Sequence, residues 1–246
     1  MLPLTSLLPD LRCRRREPEL MDQPGLPAAE HARALEGLRR INAISRTASI
    51  LWRQIEGLAS SRPSAAGPLR VLDVATGGGS LPLALEKKAR AAGLDARFDG
   101  CDISETAVGL AASRAAGRGS SCRYFARDAL AGPLPGDYNV LTCSLFLHHL
   151  DEADAVALLR RMDDAALDLV LVDDLIRSRL GYGLAVAGCR LLSRSPIVHA
   201  DGPASVAAAF TAAEALGLAE RAAGGPVRLT RHWPRRFLLS WRPRTR

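Results

Sequence analysis

VLDVATGGGSLPLAL, residues Val71 to Leu85, sets a hydrophobic run around one acid, Asp73, then three glycines, then an apolar run again. The first part has the length and composition of a strand buried on both faces. Gly77, Gly78 and Gly79 allow a tight turn, and from Ser80 the spacing turns helical. A strand, a glycine turn and a helix in that order make a ligand-binding crevice at the carboxyl end of a parallel sheet. The nicotinamide pattern G-x-G-x-x-G is not met, because Pro82 stands where its third glycine would let the helix pack closely. Asp73 inside the strand is also a poor neighbour for a pyrophosphate, whereas a ligand with cationic groups would welcome it.

The same alternation continues on both sides of this turn. Strands are expected at Val71 to Ala75, Ala96 to Cys101, Cys122 to Ala126, Tyr138 to Ser144 and Leu167 to Asp173. Helices are expected at Ser80 to Ala92, Ser104 to Ala116 and Asp151 to Met162, with Ser104 and Asp151 as N-caps. Such alternation requires crossovers and a parallel sheet covered on both faces. A helical stretch near Ser178 to Leu192, the loop SRSPIVHADGP and a helix from Pro203 to Leu216 follow. Val227 to Arg231 and Arg236 to Trp241 then read as an antiparallel hairpin at a sheet edge.

Upstream, residues 1–27 are rich in proline and carry Arg12, Arg14, Arg15 and Arg16, which predicts a mobile or loosely docked arm. Residues 28–60 show an aliphatic stripe (Leu35, Leu38, Ile41, Ile44, then Leu51, Ile55, Leu58) and read as a helical lid, with Arg46 and Trp52 as candidate contacts. Ser60 to Pro68 is a linker, and residues 69–246 form the main domain, with substrate-cap elements around 176–216.

Length and composition agree with this reading. A chain of 246 residues, 48% hydrophobic and 24% charged, can bury a large core, which excludes disordered and collagen-like classes. The net charge of +7 invites a polyanion, yet only Lys87 and Lys88 are lysines among 33 basic residues. That bias is what an arginine-rich codon usage produces without any basic face. The five cysteines are scattered with no C-x-x-C pair, so no metal or redox site is expected. A basic cluster after the first apolar stretch reverses the order of a secretory signal, and no apolar run reaches the length of a membrane span. The expectation is a cytoplasmic protein with no stable membrane insertion.

S-adenosylmethionine meets the electrostatic demands of the glycine turn. It carries a sulfonium and an ammonium beside a carboxylate, suiting an acid together with glycine N–H groups at a helix N-terminus. Asp102 ends the next strand, where an acid grips two ribose hydroxyls. Asp128 follows the third strand and is placed to accept from the adenine amino group, with the Ala129 N–H donating to the ring. His148 and His149 follow the fourth strand, and His199 lies in IVHADG; an imidazole there would take a phenol proton.

At these residues the chain resembles the class I S-adenosylmethionine-dependent methyltransferases, and among them the small-molecule branch similar to the ubiquinone and menaquinone biosynthesis enzymes. VLDVATGGG stands where that family commonly has V-L-D-x-G-x-G-x-G, followed by Asp102, the pair Asp128 and Ala129, and a strand running into SLFLHHL. Ala75 and Thr76 depart from the usual glycine and small residue. The resemblance implies an α/β, Rossmann-like, seven-stranded mixed sheet with the last strand antiparallel, helices on both faces, and S-adenosylmethionine at the C-terminal strand ends. It implies Asp73, Ala75, Thr76, Gly77 and Gly79 near the methionine part, Asp102 and Ile103 at ribose and adenine, Asp128 and Ala129 at adenine, and Ser144 at the reactive centre.

The expected activity is methylation of an oxygen or carbon on an apolar aromatic small molecule such as a phenol, quinol or polyketide. Its pocket would be lined by Leu145, Phe146, Leu180, Tyr182, Leu184 and Val198. Two alternatives stay open: a nucleic-acid methyltransferase using the terminal arginine clusters, and a non-catalytic cofactor-binding subunit. Against the first, the fourth strand lacks the N/D-P-P-Y sequence of enzymes that hold a flipped base, and aromatic content is 4%.

Overall fold

The computed structural model describes residues 9–22, 27–63 and 67–243. Residues 1–8 and 23–26 of the expected arm, residues 64–66 of the linker, residues 244–246 and the side chains of Leu35 and Leu38 lie outside the described residues. Helices α1 (Ala28–Ser45) and α2 (Thr47–Ser60) come first. Then come β1 (Leu69–Val74), α3 (Ser80–Ala91), β2 (Ala96–Asp102), α4 (Glu105–Ala116), β3 (Arg123–Ala126), β4 (Tyr138–Ser144), α5 (Glu152–Ala165) and β5 (Ala166–Leu175). Helices α6 (Arg179–Leu192), α7 (Pro196–Ala208) and α8 (Ala212–Ala222) lead to β6 (Arg228–His232) and β7 (Arg236–Trp241).

The sheet runs β3-β2-β1-β4-β5-β7-β6, with β7 antiparallel to both neighbours and the other pairings parallel. Chain order reverses between β1 and β4, so a crevice opens above their carboxyl ends. The seven-stranded mixed sheet is the one expected, with β6 as its outer strand and β7 inserted beside β5.

Both faces are covered. On one, Leu72, Cys143, Leu158, Val172, Phe210 and Phe237 pack with α5 and α8; on the other, Leu51, Ile55, Val71, Leu85, Phe98 and Leu238 pack with α2 and α3. The α2 half of the expected lid is therefore built into the core. Leu51, Trp52, Ile55 and Leu58 are all buried, each contributing about 1.5–3 kcal/mol. Trp52 is thus a packing residue and not a ligand contact.

Helix starts follow side-chain chemistry. Ser104 Oγ accepts from Ala107 N–H, Asp151 Oδ1 from Asp154 N–H, and Thr211 with Glu214 forms a capping box. The expected helix from Pro203 to Leu216 is instead two helices, because Pro196 opens α7 and Pro203 lies inside it. Ile197, Val198, Val206 and Ala207 are buried on both sides of Pro203, and that packing carries the helix through the missing N–H. Thr211 then starts α8. No single helix among the described residues is long and apolar enough to cross a membrane.

The N-terminal segment is docked where it is described, which corrects the mobile reading for residues 9–22. Arg14 donates to the carbonyls of Ala208, His148 and Leu150 and lies 3.6 Å above the Phe210 ring. Leu20 and Met21 N–H groups donate to the Asp201 carboxylate at 2.9 and 3.0 Å, and Arg177 Nε donates to Leu11 O. Asp201 of α7 is thus the anchor of this docking.

Candidate active site

The turn after β1 is held by its acid. Asp73 is buried, and its two oxygens accept from Thr142 Oγ1 and Thr76 Oγ1, both at 2.7 Å. Burial pushes its pKa up to about 7 against the two threonine hydrogen bonds. Asp73 therefore fixes Thr76 and the mouth of β1 from beneath. Thr76 N–H donates to Cys101 O, tying the turn to β2.

Ala75, Gly77 and Gly79 all take left-handed backbone, with φ of 54°, 52° and 71°. Glycine is demanded most at Gly79, where an added Cβ would stand 2.7 Å from Ala111 Cβ and from the Tyr124 ring. At Gly77 an added Cβ would meet nothing within 4 Å, so the turn faces open space there.

Asp102 closes this side. Its Oδ2 accepts from Gly77 N–H at 2.8 Å and its Oδ1 from Ser104 N–H at 3.0 Å. Ile103 beside it is 68% exposed, which an apolar side chain at a ligand-facing edge explains. Ile103, Asp128, Arg127 and Gly132 line a cleft of about 550 Å³. Asp128 Oδ1 accepts from Leu130 N–H at 2.7 Å, holding the loop after β3, and Ala129 is buried against the core. The expected cofactor residues thus gather at the ends of β1, β2 and β3.

On the far side of the switch point, Ser144 ends β4 and its hydroxyl donates to Asp173 Oδ1 at 3.4 Å. Asp173, buried on β5, also accepts from His232 Nε2 at 2.5 Å, Arg236 at 3.2 Å and Thr47 Oγ1 at 3.3 Å. This one carboxylate ties the α1–α2 junction, β4, β5, β6 and β7 together. Arg46, at that junction, is exposed with φ 57°.

The two candidate histidines differ. His148 is buried, with Nδ1 2.7 Å from Asp174 Oδ1 and Nε2 3.8 Å from Glu19 Oε1. Burial opposes its charge, but Asp174 and Glu19 prevail and push its pKa up to about 9. His148 is an imidazolium at neutral pH and not a proton acceptor, which corrects its expected role. Its charge in turn lowers the Asp174 and Glu19 carboxyls against the cost of burial. His149 is one-third exposed, with Nε2 3.9 Å from the same Glu19 oxygen and its ring centroid 4.2 Å from that of His148, the two planes tilted by 35°. His199 Nε2 meets Ser193 O at 2.8 Å, so it must donate there and close the turn between α6 and α7. This bond leaves Nδ1 as the nitrogen of His199 that can accept.

Of the expected acceptor lining, Leu145 and Phe146 are half-buried at the end of β4 and Leu180 is exposed on α6, but Val198 is core, packed with Ala34, Cys189 and Ile197. Sequence reasoning missed Glu19, Asp173 and Asp174. The signal for the last two was the adjacent acid pair ending an apolar strand, which period-two geometry sends to opposite faces. Glu19 had no local signal.

Residues 71–166 match the family model described as a methyltransferase domain. The chain is 37% identical over 128 residues to the ubiquinone biosynthesis O-methyltransferase of Methylococcus capsulatus, an alignment covering 51% of each protein. With the same-named protein of Thiobacillus denitrificans it shares 33% over 126 residues, 50% of this chain and 51% of that one. The chain thus spans about half the length of the curated relatives it matches. Among solved structures, magnesium protoporphyrin IX methyltransferase from Synechocystis PCC 6803 with bound SAH superposes with TM-score 0.58 at 17% identity, covering 91% of both chains. The citrinin polyketide synthase CMeT domain superposes with TM-score 0.60 at 14% identity, covering 80% of this chain and 52% of that one. The sheet order and these superpositions give the chain a Rossmann-like fold, and residues 71–166, with their glycine turn and strand-end acids, are similar to a methyltransferase domain.

Proposed function

We propose that the chain is an S-adenosylmethionine-dependent methyltransferase acting on a hydroxyl oxygen of an apolar aromatic small molecule of phenol or quinol type. The observation that carries this reading is the gathering of the Gly77 to Gly79 turn, Asp102 and Asp128 at the ends of three adjacent strands, with Ser144 and His149 beyond the switch point. The relatives named for O-methylation in ubiquinone biosynthesis favour oxygen over carbon.

The residues fit such a methyl donor. Gly77 faces open space, the Asp102 carboxylate lies against the turn at the position for ribose hydroxyls, and Ile103 offers an apolar face beside the cleft that Asp128 lines. S-adenosylmethionine, when bound, supplies a methyl carbon on a positively charged sulfur. The chain's task is then to align an acceptor oxygen in line with that carbon and to take its proton. His149 takes the proton, while Leu145 and Phe146 exclude water at the end of β4.

Transfer of labelled methyl from S-adenosylmethionine into host-cell extract, partitioned into organic and macromolecular fractions, tests this. Label in the organic fraction, lost in Asp102→Ala, is the expected result. Nuclease-sensitive label in the macromolecular fraction would overturn it.

A further inference from the structure

The N-terminal segment carries a carboxylate into the histidine turn. Glu19 Oε1 accepts from Ser205 Oγ of α7 at 2.5 Å, and the same oxygen lies 3.8 Å from His148 Nε2 and 3.9 Å from His149 Nε2. The segment is held there by backbone bonds to Asp201 and by Arg14, so Glu19 is not a loose surface acid. We propose that Glu19 is a positioning residue for His149, selecting its tautomer and compensating the charge His149 gains when it takes a proton from the acceptor. The assignment rests on the methyl-transfer reading above.

Two physical arguments support it. Both His148 nitrogens face carboxylates, Asp174 on one side and Glu19 on the other, so His148 holds two protons. A cationic His148 beside His149 would by itself oppose protonation of His149. Counted together, Asp174, Glu19 and a cationic His148 carry one net negative charge, and a proton arriving on His149 brings the group to neutrality. Without Glu19 the same arrival would leave one net positive charge in a largely buried place. Glu19 also lies toward Nε2, which favours the tautomer protonated at that nitrogen and leaves Nδ1 to accept. In the step itself the acceptor O–H bond breaks and its proton passes to Nδ1. The oxygen pair forms the bond to the methyl carbon, and the carbon–sulfur pair stays on sulfur, which becomes neutral.

Other charges near the turn are Arg14, bonded to the carbonyls of His148 and Leu150, and Arg16, 3.9 Å from Asp151 at the start of α5. Asp201 on α7 is engaged with Leu20 and Met21. These neighbours are unchanged by a substitution at Glu19, while His148, which keeps Asp174, loses one of its two carboxylates.

The experiment is a histidine-ring NMR titration of the full chain, with the His149 resonance assigned by its loss in His149→Gln. Glu19→Gln keeps the shape and removes the charge, and the His149 midpoint is expected to fall by about one pH unit while those of His199 and His232 stay put. Glu19→Asp is expected to recover most of the shift. Should Glu19→Gln fail to fold, Ser205→Ala, which frees the carboxylate from its anchor, carries the same test with a smaller fall. A His149 midpoint within about 0.2 pH units of wild type in the folded variant overturns the assignment. No acceptor is needed for this reading. An unmoved midpoint therefore counts against Glu19 alone, while absence of methyl transfer counts against the function on which it rests.

Discussion

Replacing Asp73 by Asn should make the protein more stable at alkaline pH and leave it nearly unchanged at acid pH. Asp73 is buried with its oxygens on Thr142 and Thr76, and burial raises its pKa from 3.8 to about 7. A raised carboxyl pKa means that the folded state binds the proton more tightly than the unfolded chain. Stability from this group is then complete below about pH 4 and lost as pH rises through about 7. At pH 5 the folded protein holds the proton and the unfolded chain has released it, a difference of about two pH units, or roughly 2.7 kcal/mol. At pH 8 both states are ionised and that contribution is gone. Asn has the shape and hydrogen-bonding capacity of the protonated acid, so it keeps at pH 8 what Asp73 gives in full only below about pH 4. Urea unfolding of both proteins at pH 5 and pH 8 measures this directly. The expected result is an advantage for Asn that is larger at pH 8 than at pH 5 by about 2.7 kcal/mol, with equality reached only below about pH 4. A difference between the two proteins that is the same at both pH values would refute the reasoning.

Ala75→Gly should stabilise by about 0.5 kcal/mol in thermal unfolding, because left-handed backbone at φ 54° costs alanine more than the extra freedom of glycine in the unfolded chain. Gly79→Ala should cost about 2–3 kcal/mol and abolish S-adenosylmethionine binding by calorimetry, since its Cβ would meet Ala111 and the Tyr124 ring at 2.7 Å. His199→Ala should reduce methyl-transfer turnover less than about tenfold, because its ring serves the α6–α7 turn, whereas His149→Ala should exceed that loss. Trp52→Ala should cost about 3–5 kcal/mol in urea unfolding, as expected of a core residue and not of a lid contact.

Much of the fold could be read from local pattern. The run from Val71 to Val74 is buried on the sheet, as a continuous apolar strand should be, and Ser104 and Asp151 cap the helices they precede. What local pattern could not supply was tertiary. Pro203 looks like a helix start because proline suits the first turn, yet buried neighbours on both sides carry α7 across it. Residues 9–22 look like an arm because proline and arginine give no period, but Arg14 finds three carbonyls from segments more than a hundred residues away. The gathering of the candidate cofactor residues was legible because it follows a motif of adjacent strand ends. The surroundings of the histidine turn were not, since His148 is held by Asp174 and Glu19, which reach it from a strand and a segment that no sequence spacing links to the turn. Two neighbouring histidines with the same intrinsic chemistry are thereby given different surroundings, one buried between two carboxylates and one partly exposed.

Strain is concentrated where these sides meet. The four non-glycine residues with positive φ among the described residues are Arg46, Ala75, Leu145 and Arg235. They stand at the α1–α2 junction, at the exits of β1 and β4, and at the entrance to β7. Each conformation costs of order 1 kcal/mol and persists only where surrounding bonds fix it. Those bonds are present: Leu145 N–H donates to Asp173 O, Ile176 N–H to Arg235 O, Ser49 and Ile50 N–H to Arg46 O, and Thr76 N–H, next to Ala75, to Cys101 O. Three of these four positions surround Asp173, the carboxylate that joins Ser144, Thr47, His232 and Arg236. A relaxed backbone at the end of β4 would release Leu145 from β5 and with it the approach to the histidine turn. The strained turns and the two buried acids therefore act together: Asp173 fixes the ends of β4, β6 and β7 on one side of the switch point and Asp73 fixes the glycine turn on the other, so the crevice between them keeps one shape.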